Sequence, residues 1–253
     1  MSLNSEVVTT IDPSRDIVTL INVFTAKPGK QQAFITAQIG EYKRLRGKIA
    51  GGLAVNLHRG LGGSKAANYA HFTSLEAIRT WQQSALMKEH MPVIQPYVER
   101  AQPDIYRAVE AVSRQSSTTR IEVEPGRVAL IAVMSGKPDS PGGVDELLAS
   151  QREAAKKLLD AFPALRAMIL HQGIARTGTW TQGNLGQSPT APTAPHVALY
   201  AQLDSAEAAQ SLMEHPAYRA EFTAENPHLQ VAEAEVYEVA FVQNDDALPA
   251  AHD

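Results

Sequence analysis

The chain of 253 residues contains no cysteine. That excludes disulfides, thiolate nucleophiles and Cys-ligated metals, and it suits a reducing compartment. Charge of one dominant sign is also lacking. A formal net charge of −4 offers neither a nucleic-acid footprint nor a basic patch for a membrane surface. No apolar run is long enough to cross a bilayer, and the polar N-terminal stretch MSLNSEVVTTIDPSRD has no apolar signal segment. The histidines show no ligand spacing such as H-x3-H, and no Gly-rich phosphate loop follows a strand. These absences predict a cytoplasmic protein with no metal, no cofactor, no nucleic-acid partner and no membrane association. What is present is ordinary globular composition: 44% hydrophobic and 20% charged residues can build a sizeable core.

The chain repeats itself. IVTLINVFTAKP (17–28) lies over RVALIAVMSGKP (127–138), 110 positions apart. AVNLHRG (54–60) lies over AMILHQG (167–173), offset by 113. NYAHFTSLEAI (68–78) lies over LYAQLDSAEAA (199–209), and Tyr106 over Tyr237, both offset by 131. Four blocks recurring in one order point to an internal duplication. The change in offset places an insertion in the Gly/Thr/Pro/Gln-rich stretch 174–195, read as a long loop on a hairpin.

Each copy reads as β-α-β-β-α-β, the ferredoxin-like unit. In the first copy strands are expected at 17–26, 53–60, 66–73 and 104–112. A helix follows Pro28-Gly29, and a second opens at a capping box, Thr73-Ser74-Leu75-Glu76. The second copy repeats that box as Asp204-Ser205-Ala206-Glu207, and its first helix puts Val144, Leu147, Leu148, Gln151, Ala154, Ala155, Leu158, Leu159 and Phe162 on one face. One such sheet has helices on one face and a bare apolar face on the other. Two units, 1–113 and 114–253, joined through the polar linker 113–119, would cover each other. The expected fold is α+β: two fused units with antiparallel sheets packed face to face.

His58 stands ten residues before Asn68, in H-x9-N-Y-A. Here the chain resembles the antibiotic biosynthesis monooxygenase family of dimeric α+β barrels, here as a tandem pair in one chain. It is nearest in motif to the cofactor-independent, quinone-forming monooxygenases of aromatic polyketide biosynthesis. The resemblance implies an oxidoreductase that takes an anthrone- or phenol-like substrate and O2, with no flavin or metal. It implies that Asn68 contacts the substrate oxygen and that His58 lies near the site. Phe72 replaces a tryptophan of those enzymes and Ile78 a tyrosine. Related barrels that degrade haem carry an asparagine on strand one and a tryptophan and histidine on helix two, a set that Asn22, Trp81 and His90 echo. A protein that only binds an apolar ligand or haem is therefore the alternative, and a vestigial assembly partner a third. Association of fused pairs into a homo-oligomer stays open.

The chemistry of a cofactor-free oxygenase needs a base, donors for a developing oxyanion and a dry pocket. His58 is the candidate proton shuttle, although its counterpart His171 equally suits a structural pin for the hairpin. Asn68 and Asn22 stand where the other copy has Leu199 and Ala132, and an unpaired polar group facing a core costs about 1–3 kcal/mol. A functional role for both is expected. Trp81, Phe72, Tyr69 and His90 are the candidate substrate-binding residues. On one unbroken helix Trp81 and His90, nine apart, fall on opposite faces. Only a break near Ser84 or Pro92 would let both line one cavity. Arg59 and His71 are expected at solvated or edge positions, and His196, Trp180 and the insertion are candidates to cover a pocket mouth.

Overall fold

The computed structural model describes residues 8–114, 118–138, 143–177, 180–181 and 194–245. The first β-α-β-β-α-β unit comprises β2 (Val18–Ala26), α1 (Gln31–Leu45), β3 (Gly52–Gly60), β4 (Lys65–Phe72), α2 (Leu75–Gln83), α3 (Ala85–Ile94) and β5 (Val98–Ser113). The second comprises β7 (Val128–Gly136), α4 (Gly143–Ala161), β8 (Leu165–Arg176), β10 (His196–Leu203), α5 (Ala206–Glu214), α6 (Pro216–Phe222) and β11 (Leu229–Asn244). Three short strands complete the set: β1 (Thr9–Ile11), β6 (Thr119–Ile121) and β9 (Trp180–Thr181), the last pairing with β5. Among the described residues no helix is long and apolar enough to cross a membrane.

Within each unit the strand order is the ferredoxin-like one: β5-β2-β4-β3 and β11-β7-β10-β8. The two sheets do more than face each other. Strand β11 of the second unit pairs with β3 of the first, and β5 pairs with β8, so eight strands close into one barrel without free edges. Both joining strands are 16 residues long, well beyond the strand expected at 104–112. Pro103 sits inside β5 without breaking it. Its Cα partner on one side is Asn22, and the ladder to β8 begins only at Asp104, so the missing N–H is not needed there.

Strand alternation divides the apolar residues between two layers. Ile21, Tyr69, Tyr106, Ile131, Ile169, Tyr200 and Tyr237 fill the barrel interior, residues of both units together. The opposite faces pack under helices, forming separate cores for the first unit and for the second. Strands β1 and β6 pair with each other, and their Ile11 and Ile121 enter the interior cluster, closing one barrel end. The capping residues sit one position later than the sequence reading placed them. Ser74 and Ser205 are the N-caps, accepting from the Ala77 and Ala208 amides at 3.1 and 3.2 Å.

Candidate functional site

A cavity of about 270 Å³ lies between the outer face of the first sheet and its helices. Its floor follows from the register of β2 and β4. Asn22 pairs directly with Asn68, so both amides emerge side by side on the face that α1, α2 and α3 cover. Phe72 lies on that same face of β4, four residues on, and the lining is otherwise largely apolar.

The helices contribute Gln38 and Tyr42 from α1, Trp81 from α2 and His90 from α3. Trp81 and His90 meet there because the helix breaks at Ser84. That residue is extended (φ −69°, ψ 158°) and serves both pieces. Its hydroxyl donates to the Trp81 carbonyl at 2.7 Å and accepts from the Met87 amide at 3.1 Å. The second piece restarts at a new angle, and the Trp81 and His90 rings come within 6.2 Å, centroid to centroid.

Four polar atoms of lining residues are buried and make no hydrogen bond of normal geometry: Asn22 Oδ1, Gln38 Oε1, Tyr42 Oη and Asn68 Oδ1, although the Gln38 amide lies close enough to Tyr42 to act on its phenol. A lone orphan can reflect local crowding. Four on residues that line one cavity mark a place where a polar ligand could complete them. Burial pushes the Tyr42 phenol well up, with the Gln38 amide opposing in part, so it stays protonated and can donate.

His90 is buried and its Nδ1 lies 3.1 Å from Glu41 Oε2. A carboxylate only accepts, so Nδ1–H donates and the lone pair of the neutral ring is on Nε2. Burial lowers the His90 pKa; Glu41 works against that, and Arg44 adds to the lowering. Glu41 is held below the usual carboxylate range chiefly by the Arg44 guanidinium, 2.7 Å away, with burial opposing and His90 assisting. An anionic carboxylate behind a neutral imidazole is the arrangement of a general base. Sequence reasoning passed over Gln38, Glu41 and Tyr42. Their signal was a polar set on the buried face of a helix.

His58 and Tyr69 do not enter this cavity. Leu57, not His58, pairs with Asn68, so His58 and Tyr69 point into the barrel. There they form a reciprocal pair across the two units. His58 Nε2 is 3.0 Å from the Tyr200 hydroxyl, and the Tyr69 hydroxyl is 2.7 Å from His171 Nε2. His171 Nδ1–H donates to the Ala198 carbonyl at 3.3 Å, so its Nε2 accepts from Tyr69. Burial lowers both imidazoles to about 4 and raises the Tyr69 and Tyr200 phenols. The proton-shuttle position read for His58 is thus a cross-barrel pin. His71, expected at an edge, is buried beside Tyr69 with ring centroids 5.3 Å apart, while Arg59 is part-exposed and paired with Glu238. His196 is buried against Tyr106 and over Gly173, where any side chain would collide with the imidazole. Most of the insertion, 182–193, and the Trp180 side chain lie outside the described residues.

Among the described residues, the equivalent positions of the second unit carry aliphatic or aromatic side chains packed in a buried cluster. Ala132 pairs with Leu199 as Asn22 pairs with Asn68, and Leu212 stands in the place of Trp81. Tyr218 and Phe222, 131 positions after Met87 and Met91, stack at 5.4 Å and join the same buried cluster. Among the described residues, no three histidine, aspartate or glutamate side chains come together as a metal site.

Residues 17–93 match the antibiotic biosynthesis monooxygenase family. Solved structures similar to the whole chain include an anthrone oxidase-like protein, at 18% identity and TM-score 0.74, covering 96% of this chain and 100% of that one. A candidate monooxygenase from Lactobacillus acidophilus NCFM aligns at 8% identity and TM-score 0.54, covering 91% of this chain and 97% of the other. One from Fusobacterium nucleatum aligns at 11% and 0.58, covering 91% and 95%. At such identities the likeness is one of fold. No curated protein sequence matches the chain.

Proposed function

We propose that this protein is a cofactor-independent monooxygenase that oxidises a phenolic or anthrone-like molecule with O2 in the first-unit cavity. The observation that carries the reading is the cavity's chemistry: two paired asparagine side chains and a phenol around a carboxylate-backed imidazole, in a stretch that matches a monooxygenase family. His90 Nε2 takes the acidic proton of the substrate. The resulting anion is stabilised by the amide N–H groups of Asn22 and Asn68 and by the Tyr42 hydroxyl. That electron-rich anion is itself the reductant. It passes one electron to O2, and substrate radical and superoxide combine to a carbon-bound peroxide. The imidazolium returns its proton as the peroxide breaks. For an anthrone the remaining C–H proton leaves, one oxygen stays as the new quinone carbonyl, and the other departs in water. Trp81 and Phe72 offer flat apolar walls for the ring system.

The two units are read as a tandem duplication, 1–113 and 114–253, in which one pocket was kept and the other filled. A homodimer must hold two identical sites, whereas a fused pair is free to convert one into core. Haem fits poorly. His90 backed by Glu41 suits an iron ligand, but a cavity of about 270 Å³ sits at the small end of ligand pockets and favours a smaller ring system than a porphyrin. Oxygen uptake with anthrone as substrate tests the proposal. Chelator-treated, flavin-free protein is expected to consume one O2 per anthraquinone formed; no uptake above the spontaneous rate contradicts it.

A further inference from the structure

We propose that the second unit supplies two residues to the first unit's cavity, Gln243 and Asp245, and that Asp245 selects ligands carrying a second hydroxyl group. The inference rests on that cavity being the substrate site.

A bulge in β11 between Val239 and Phe241 switches which residues face the first unit's helices. Before it, Tyr237 points into the barrel. Beyond it, Phe241 stacks on Tyr42 of α1, with centroids 6.2 Å apart and planes at 25°. Alternation then brings Gln243 and Asp245 to the same side, and both line the cavity. The Asp245 amide donates to the Leu53 carbonyl at 2.7 Å, which fixes its backbone to the first unit.

The Asp245 carboxylate is held in place but not satisfied. Its Oδ2 accepts from the Gly47 amide at 3.1 Å and from Gln243 Nε2 at 3.2 Å. Its Oδ1 is buried and accepts no hydrogen bond, its charge partner being the Arg46 guanidinium, with Nε at 3.5 Å. The equivalent position beside the second unit is built differently. The residues 131 positions earlier are Val112 and Arg114. Val112 packs into the filled core, and Arg114 turns onto the end of α4, where it donates to the carbonyls of Leu159, Phe162 and Leu165. Polar residues thus replace apolar or helix-sealing ones where the first cavity is, and the two come from the other unit. A carboxylate oxygen can only accept, so its complement is an O–H on the ligand. A site built to bond a hydroxyl strongly rejects the analogue that lacks it.

Anaerobic calorimetry of the full chain with 2-naphthol and with 2,6-dihydroxynaphthalene tests this. Wild type is expected to favour the diol. Asp245→Asn is expected to weaken diol binding by about tenfold while leaving 2-naphthol binding largely unchanged. Gln243→Val, which copies Val112, is expected to lower the diol preference in the same direction. A wild-type preference for the diol that survives Asp245→Asn, or a variant that weakens both ligands alike, overturns the proposal. So does wild type that binds 2-naphthol with no preference for the diol, and that result leaves the aromatic site itself standing. Binding of neither ligand overturns this inference and the monooxygenase reading together.

Discussion

Glu41 Oε2 lies 3.1 Å from His90 Nδ1, joining α1 to the far side of a helix break that also brings Trp81 within 6.2 Å of the same imidazole. One contact thus orients the imidazole through Nδ1 and opposes the lowering of its pKa by burial, while the helix break sets the ring beside an aromatic side chain.

That contact fixes a pH dependence. Burial lowers the His90 pKa, so the free base is present at neutral pH and kcat/KM falls on the acid side, with a midpoint below the usual value near 6.5. Glu41→Gln removes the charge that holds the pKa up. Its acid limb is expected to move to lower pH while kcat drops, because the imidazolium formed in the reaction loses its partner. His90→Gln is expected to cost about 10²–10⁴ in kcat. A pH–rate series on the three proteins checks both.

Asn68→Leu copies the second unit's Leu199 into the cavity floor. Ligand binding and turnover are expected to be lost while the melting temperature stays or rises, since a buried unpaired amide is removed. Leu199→Asn places the same amide in a filled core and is expected to cost about 1–3 kcal/mol with activity unchanged. Calorimetric melts and turnover, measured side by side, decide this.

The barrel pins give a stability prediction independent of turnover. His58 and His171 titrate near 4 when folded and near 6.5 when unfolded. Between those values the unfolded chain binds more protons, so stability is full above about pH 6.5 and declines as pH falls through 4. The expected loss is on the order of 3 kcal/mol for each ring. Urea unfolding across pH 4 to 7 measures it. His58→Phe with Tyr200→Phe is expected to be milder than either change alone and to leave turnover intact, because removing both partners leaves no orphan.

Much of this was legible in the chain, for identifiable reasons. The paired ferredoxin-like units could be read because four blocks recur in order. Asn22, Asn68 and Trp81 stood out because their counterparts are aliphatic, and all three line the cavity. His58 was misplaced by a single residue of parity. Side chains on a strand alternate faces, and only the hairpin register tells whether Leu57 or His58 stands beside Asn68. His90 depended on a break that Ser84 makes by capping two helices at once, a role that residue type permits without announcing. The β1–β6 ribbon carried a signal, T-x-I at 9–11 and again 110 positions later, but three-residue strands are too short for periodicity to reveal. Asp245 reaches the site through pairing between units almost 200 residues apart in sequence, which no local pattern encodes.

The most direct test of the central claim is mass spectrometry of the product formed under 18O2 from anthrone, with flavin-free, chelator-treated protein. The account predicts anthraquinone carrying one 18O atom, formed by wild type and by His58→Phe, and reduced to the spontaneous level in His90→Gln and Asn68→Leu. Unlabelled product, or label incorporated equally by wild type and His90→Gln, would contradict it.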